Sequence, residues 1–185
     1  MKNFKHNLGT AICMALLALQ SCKSDDNKAV TDSKELLTTV LLTYTNQANV
    51  SEVVKVKWQD IDGVGGVAPK IDNLVLKANT TYAVTTEVLD ESKTPVENKT
   101  PEILSEGAEH QFFYSSTPAN LLSVSYADKD SKNLPIGLAT VQKTGSVGKG
   151  TFLVTLKHQT NLKSATSTIA TGETDIEVSF NVEVK

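Results

Sequence analysis

Apolar and polar residues alternate with a period of two along most of this chain. Val54, Val56 and Trp58 alternate with Lys55, Lys57 and Gln59, so a strand here turns one face to a core and leaves its lysines in water. Leu36 to Thr45, just before it, is rich in Leu, Val, Thr and Tyr, and the Asn46-Gln47-Ala48-Asn49 cluster between the two predicts a hairpin. Tyr82, Val84, Thr86 and Val88 form a further alternating set. Gln111 to Ser115, Leu121 to Tyr126, Leu138 to Gln142, Phe152 to Lys157 and Ile176 to Val184 follow, with Gly145, Gly148 and Gly150 punctuating the loop before Phe152. One stretch, Thr100 to Glu109, reads as a short helix: Thr100 as its cap, Pro101 in the first helical position, acids in the first turn and Gly107 as a stop. About eight strands and one short helix predict an all-β fold, an antiparallel β-sandwich of immunoglobulin-like architecture.

The first residues break this pattern. Lys2, Lys5 and His6 precede an uncharged run from Leu8 to Leu19, which ends in Leu19-Gln20-Ser21-Cys22. About a dozen apolar residues are too few to cross a bilayer, which takes roughly 20. The layout is that of a signal peptide, and its last four residues resemble the bacterial lipobox, with Gln20 departing from the usual small or aliphatic residue. The expectation is cleavage after residue 21 and lipidation of Cys22. Two or three acyl chains, at about 0.8 kcal/mol per buried CH₂, anchor such a protein firmly. Residues 22–34 are polar, charged and without periodicity, as in a flexible tether, and residues 35–185 form the sandwich domain. The acidic pair Asp25-Asp26 behind Lys23 resembles, with Ser24 interposed, the export tag of surface lipoproteins. An outer-membrane anchor facing the exterior is thus expected in preference to the periplasmic face.

Composition excludes several function classes. Cys13 lies in the discarded segment, so Cys22 is the one cysteine of the mature chain and no disulfide can form within the domain. Removing two lysines with residues 1–21 moves the formal net charge from −3 to −5, and the chain contains no Arg. A nucleic-acid partner, which needs a basic face and favours the guanidinium fork, is not expected. The sequence holds no G-x-S-x-G, no phosphate-binding loop and no cysteine nucleophile in the mature chain, so the domain is read as a non-enzyme with no organic cofactor.

Three groups carry candidate chemistry. Asp60-Ile61-Asp62-Gly63 resembles the start of a calcium loop, but Val64 and Ile71 stand where an EF-hand counted from Asp60 needs oxygen ligands, so turn chemistry is the simpler reading. Asp128 to Asn133 reads as a turn for the same reason, with two lysines among its acids. In Glu109-His110-Gln111-Phe112-Phe113-Tyr114, a strand places His110, Phe112 and Tyr114 on one face. His158 continues the alternation of Phe152, Val154 and Leu156, and the two imidazoles with Glu109, Glu173 or Asp175 would suffice for Zn²⁺ or Cu²⁺ if they converged. Glu173, Asp175 and Glu177 alternate and are expected on one face, opposite a lysine such as Lys157. A carboxylate pair also serves glycoside hydrolysis, a minority reading because nothing fixes the separation.

Taken in order, Trp58 to Gly63, Leu76 to Tyr82, Glu109 to Tyr114, Pro135 to Leu138 and Gly172 to Val182 resemble a family of small Bacteroidetes-type lipoproteins. The resemblance covers nearly all of the mature chain. It implies a cell-envelope setting, in some cases beside TonB-dependent outer-membrane receptors, and carries no catalytic residue. The expected function is a lipid-anchored binding or accessory protein, possible partner an outer-membrane receptor, with a metal-binding lipoprotein using His110 and His158 as the alternative.

Overall fold

In the computed structural model the described residues are 36–63 and 65–185; residues 1–35 and Val64, and with them the expected signal peptide 1–21, Cys22 and the expected tether 22–34, lie outside them. The eight strands read from alternation are present as β1 (Thr39–Asn46), β2 (Val53–Gln59), β5 (Thr81–Asp90), β7 (His110–Thr117), β8 (Leu122–Tyr126), β9 (Ala139–Thr144), β10 (Gly148–His158) and β11 (Glu173–Val184). Three short strands join them: β3 (Lys70–Ile71), β4 (Leu74–Leu76) and β6 (Glu97–Asn98). At two or three residues these are too brief to show a period.

Two sheets form a sandwich. The larger runs β3-β2-β1-β5-β9-β8, with β6 paired to β5, and the smaller runs β4-β11-β10-β7. All pairings are antiparallel except β4 with β11, which is parallel. The alternating sets meet in one core: Val40, Leu42, Tyr44, Tyr82, Val84 and Val88 from the first sheet face Phe112, Phe152, Val154, Phe180 and Val182 from the second. Tyr44 brings a hydroxyl into this core and donates it to Gln142 Oε1 at 3.0 Å, which satisfies both buried polar groups. Tyr114 stacks on Phe152 at 5.8 Å and donates its hydroxyl to the Gly137 carbonyl. Burial pushes its phenol pKa far up.

Two local expectations are corrected. Gly148 and Gly150 do not punctuate a loop but lie inside β10, where a Cβ on Gly150 would come within 2.1 Å of the Thr117 carbonyl oxygen. The helix, α1 (Thr100–Ser105), has Pro101 in its first turn, but Lys99 rather than Thr100 is its N-cap residue. The Thr100 hydroxyl is used elsewhere: it accepts the Val88 amide at 2.9 Å and so fastens α1 to β5. Among the described residues no helix is long and apolar enough to cross a membrane.

Candidate metal centre

The smaller sheet gathers the two histidines at one end. On the core-facing row of β7, His110 follows the period of Phe112 and Tyr114, and on β10 His158 follows Phe152, Val154 and Leu156. The strands pair antiparallel with His158 directly opposite His110, and the rings lie 4.5 Å apart between centroids. His110 is buried and His158 half-buried, so the pair closes the end of the apolar core rather than standing in open solvent.

The third strand contributes through an irregularity. Ile176 of β11 pairs with Leu156, but Lys157 pairs with Thr174, so Asp175 is an extra residue with no partner position on β10. Such a bulge re-aims side chains. It overturns the expectation that Glu173, Asp175 and Glu177 line up on one face: Asp175 Oδ2 lies 3.6 Å from His110 Nε2, whereas Glu177 accepts the Thr155 hydroxyl and Glu173 is exposed. The Lys157 ammonium donates to the Thr174 hydroxyl at 2.9 Å. Just upstream, Gly172 has φ +73°, and a Cβ there would stand 2.1 Å from the His158 carbonyl oxygen, so the chain returns into β11 against the end of β10 only as glycine.

The donor atoms of His110, His158 and Asp175 all lie within 4.8 Å of one another. Nδ1 of His110 faces the Glu106 carbonyl at 3.3 Å, an oxygen that can only accept. A ring proton on Nδ1 would meet that carbonyl and leave Nε2, on the side of Asp175, as the atom able to ligate a cation. An imidazole oriented by a backbone carbonyl on its far nitrogen is a ligand prepared for metal. Glu109 stands beside the cluster, its Oε2 3.4 Å from His158 Nε2 and accepting the Thr160 hydroxyl at 3.1 Å. Of the residues singled out in the sequence, His110, His158 and Asp175 converge, Glu109 adjoins them, and Glu173 is not in the cluster.

The Asp60 loop is built as a turn. Asp60 accepts the Gly63 amide at 3.1 Å and Asp62 the Val67 amide at 2.8 Å, and that amide holds the Asp62 carboxyl below the usual carboxylate range. Both acids are occupied in holding backbone.

Sequence reasoning missed the support beneath the histidines. Lys163, from the loop between β10 and β11, is buried and donates to the carbonyls of Gly107 at 2.5 Å and His110 at 2.9 Å. Its ammonium also lies 2.9 Å from Asp130, with both side chains 1% exposed. Burial pushes the Asp130 carboxyl up, but the amides of Leu134 and Lys132 and the Lys163 ammonium outweigh it and hold it below the usual range. Gln159, fully buried, donates its backbone amide to the Glu109 backbone carbonyl at 2.6 Å, and its backbone carbonyl accepts the backbone amides of Leu162 and Lys163. One turn thus ties the end of β10 to the start of β7. A lysine in a polar loop ordinarily reads as exposed, so no local pattern marks it. No family model, curated protein or solved structure matches this chain.

Proposed function

We propose that the chain is a lipid-anchored, non-enzymatic binding protein of the cell envelope whose ligand is a divalent transition-metal ion held by His110, His158 and Asp175. The observation that carries this reading is the convergence of those three side chains from three strands, within 4.8 Å. Two imidazoles with a carboxylate suit Zn²⁺ or Cu²⁺, whereas Mg²⁺ and Ca²⁺ favour all-oxygen shells. The bulge that brings Asp175 to His110 and the carbonyl that orients His110 support the same chemistry. They also favour metal over a carboxylate hydrolase, because Asp175 turns to an imidazole while Glu173 is exposed.

The setting rests on Leu19 to Cys22 and the polar segment behind them. A domain tethered this way works within reach of a membrane surface, where a metal-loaded module can serve an outer-membrane receptor. The test is metal analysis of the full chain in detergent after exposure to Zn²⁺ and Cu²⁺ and exhaustive dialysis, repeated with His110→Ala/His158→Ala. One metal ion per chain, lost in the double variant, supports the reading. A metal-free wild type, or retention by the double variant, refutes it.

A further inference from the structure

Resting on that reading, we propose that Glu109 is a fourth protein ligand, closing the His110, His158 and Asp175 centre into a tetrahedral site that selects zinc and leaves no coordination position open. The place of Glu109 beside His158 and the charge of the site carry this. Two donors about 2.1 Å from one tetrahedral ion lie about 3.4 Å apart. An octahedral ion at the same bond length needs neighbouring donors about 3.0 Å apart. Two of the nitrogen-to-oxygen separations are 3.6 Å, from His110 Nε2 to Asp175 Oδ2, and 3.4 Å, from His158 Nε2 to Glu109 Oε2. Each pairs one imidazole with one carboxylate at close to the tetrahedral edge; Glu109 lies outside the set of donors within 4.8 Å of one another, so its half-exposed side chain must swing inward to ligate.

Charge gives an independent reason. Neutral imidazoles leave a dication uncompensated, and a charge at the end of an apolar core is costly unless paired. Asp175 supplies one negative charge and Glu109 the second, so the four-ligand site is neutral. The Glu109 side chain can swing inward on an anchored backbone. Its backbone is fixed on both sides, the amide donating to Glu106 at 2.8 Å and the carbonyl accepting Gln159 at 2.6 Å. Its side chain is 41% exposed, and the Thr160 hydroxyl bonded to Oε2 is the outer-shell partner that a ligating carboxylate keeps. The closed shell makes this a holding site rather than a reactive one. Cu²⁺, which favours tetragonal geometry, fits it less well.

Cobalt(II) loaded in place of zinc reports coordination number through its visible d–d bands, and azide or imidazole in solution reports an open position. Full-length chain in detergent is loaded with Co²⁺, titrated with azide, and in parallel competed for Zn²⁺ against a chelating dye. Variants Glu109→Gln and, as a control on an exposed acid outside the cluster, Glu173→Gln are treated alike, with circular dichroism confirming the fold. The wild type and Glu173→Gln give intense tetrahedral bands that azide does not shift. Glu109→Gln lowers zinc affinity by about 10- to 100-fold and gains an azide-dependent spectrum. The fourth-ligand proposal is overturned if the wild-type bands move with azide, or if Glu109→Gln matches the wild type in affinity and spectrum. Failure of the wild type to bind either ion defeats the underlying metal reading as well, and is distinguishable from both.

Discussion

Asp175 meets His110 because β11 carries one residue more than the strand beside it: the extra position falls between Thr174 and Ile176, and the carboxylate arrives 3.6 Å from Nε2 of the imidazole. Neither residue is exposed, and neither lies in a loop that tolerates free movement. Asp175→Asn keeps the shape and removes the charge. Zinc affinity is expected to fall about tenfold or more, while the urea midpoint corresponds to a stability change within about 1 kcal/mol. A loss of stability with unchanged zinc affinity would show that the bulge serves folding instead.

The Lys163–Asp130 pair is the buried support of the same end of the sandwich. Lys163→Met leaves the Asp130 carboxylate without its cation and frees the carbonyls of Gly107 and His110. Breaking such a pair costs about 3–5 kcal/mol, because one charge stays buried alone. Lys163→Met/Asp130→Asn should therefore cost at least about 1 kcal/mol less than the two single changes added together, read from urea denaturation. Strict additivity would mean that the two groups do not interact.

Acid exposes the same pair. Asp130 is held low against the pull of burial, and Asp90 is held low first by the Ser92 hydroxyl, again against burial. A lowered folded pKa means that the unfolded chain takes up its proton first, near the ordinary value of about 3.9. The stabilisation is therefore present above about pH 4 and is lost as pH falls through the lower folded values. Denaturant titrations from neutral pH downward should show stability falling below about pH 4, and less steeply in Asp130→Asn. A slope unchanged by that substitution would remove Asp130 from the explanation.

How far the residues announced this arrangement differs between fold and site. The eight long strands were legible because alternation such as Tyr82, Val84, Thr86 and Val88 is a direct record of one buried face, and all four side chains are buried. The pairing of His110 with His158 was legible only as a possibility, because alternation gives the face of each strand and not its register. Asp175 looked like one of three regular acids; a single-residue bulge leaves the local sequence unchanged and shifts everything around it. Lys163 and Asp130, separated by 33 positions of chain, carry no mutual signal at all. Their burial follows from tertiary closure, which turns an ordinary loop lysine inward to meet two carbonyls and a carboxylate.

The proposed lipid anchor is tested at its sulfur. If Cys22 carries the proposed lipid, Cys22→Ser should move the protein from the membrane fraction to the soluble one and abolish the added acyl mass at the N-terminus, since two or three chains would supply the membrane affinity. Membrane retention of the serine variant at high salt would contradict the lipobox reading.

Zinc K-edge X-ray absorption of the zinc-loaded full chain tests the central claim most directly. A shell of nitrogen and oxygen at about 2.0–2.1 Å with the outer scattering of two imidazole rings is predicted, and both rings should vanish from the signal in His110→Ala/His158→Ala. A sulfur neighbour at about 2.3 Å, or an all-oxygen shell with no imidazole scattering, would contradict it.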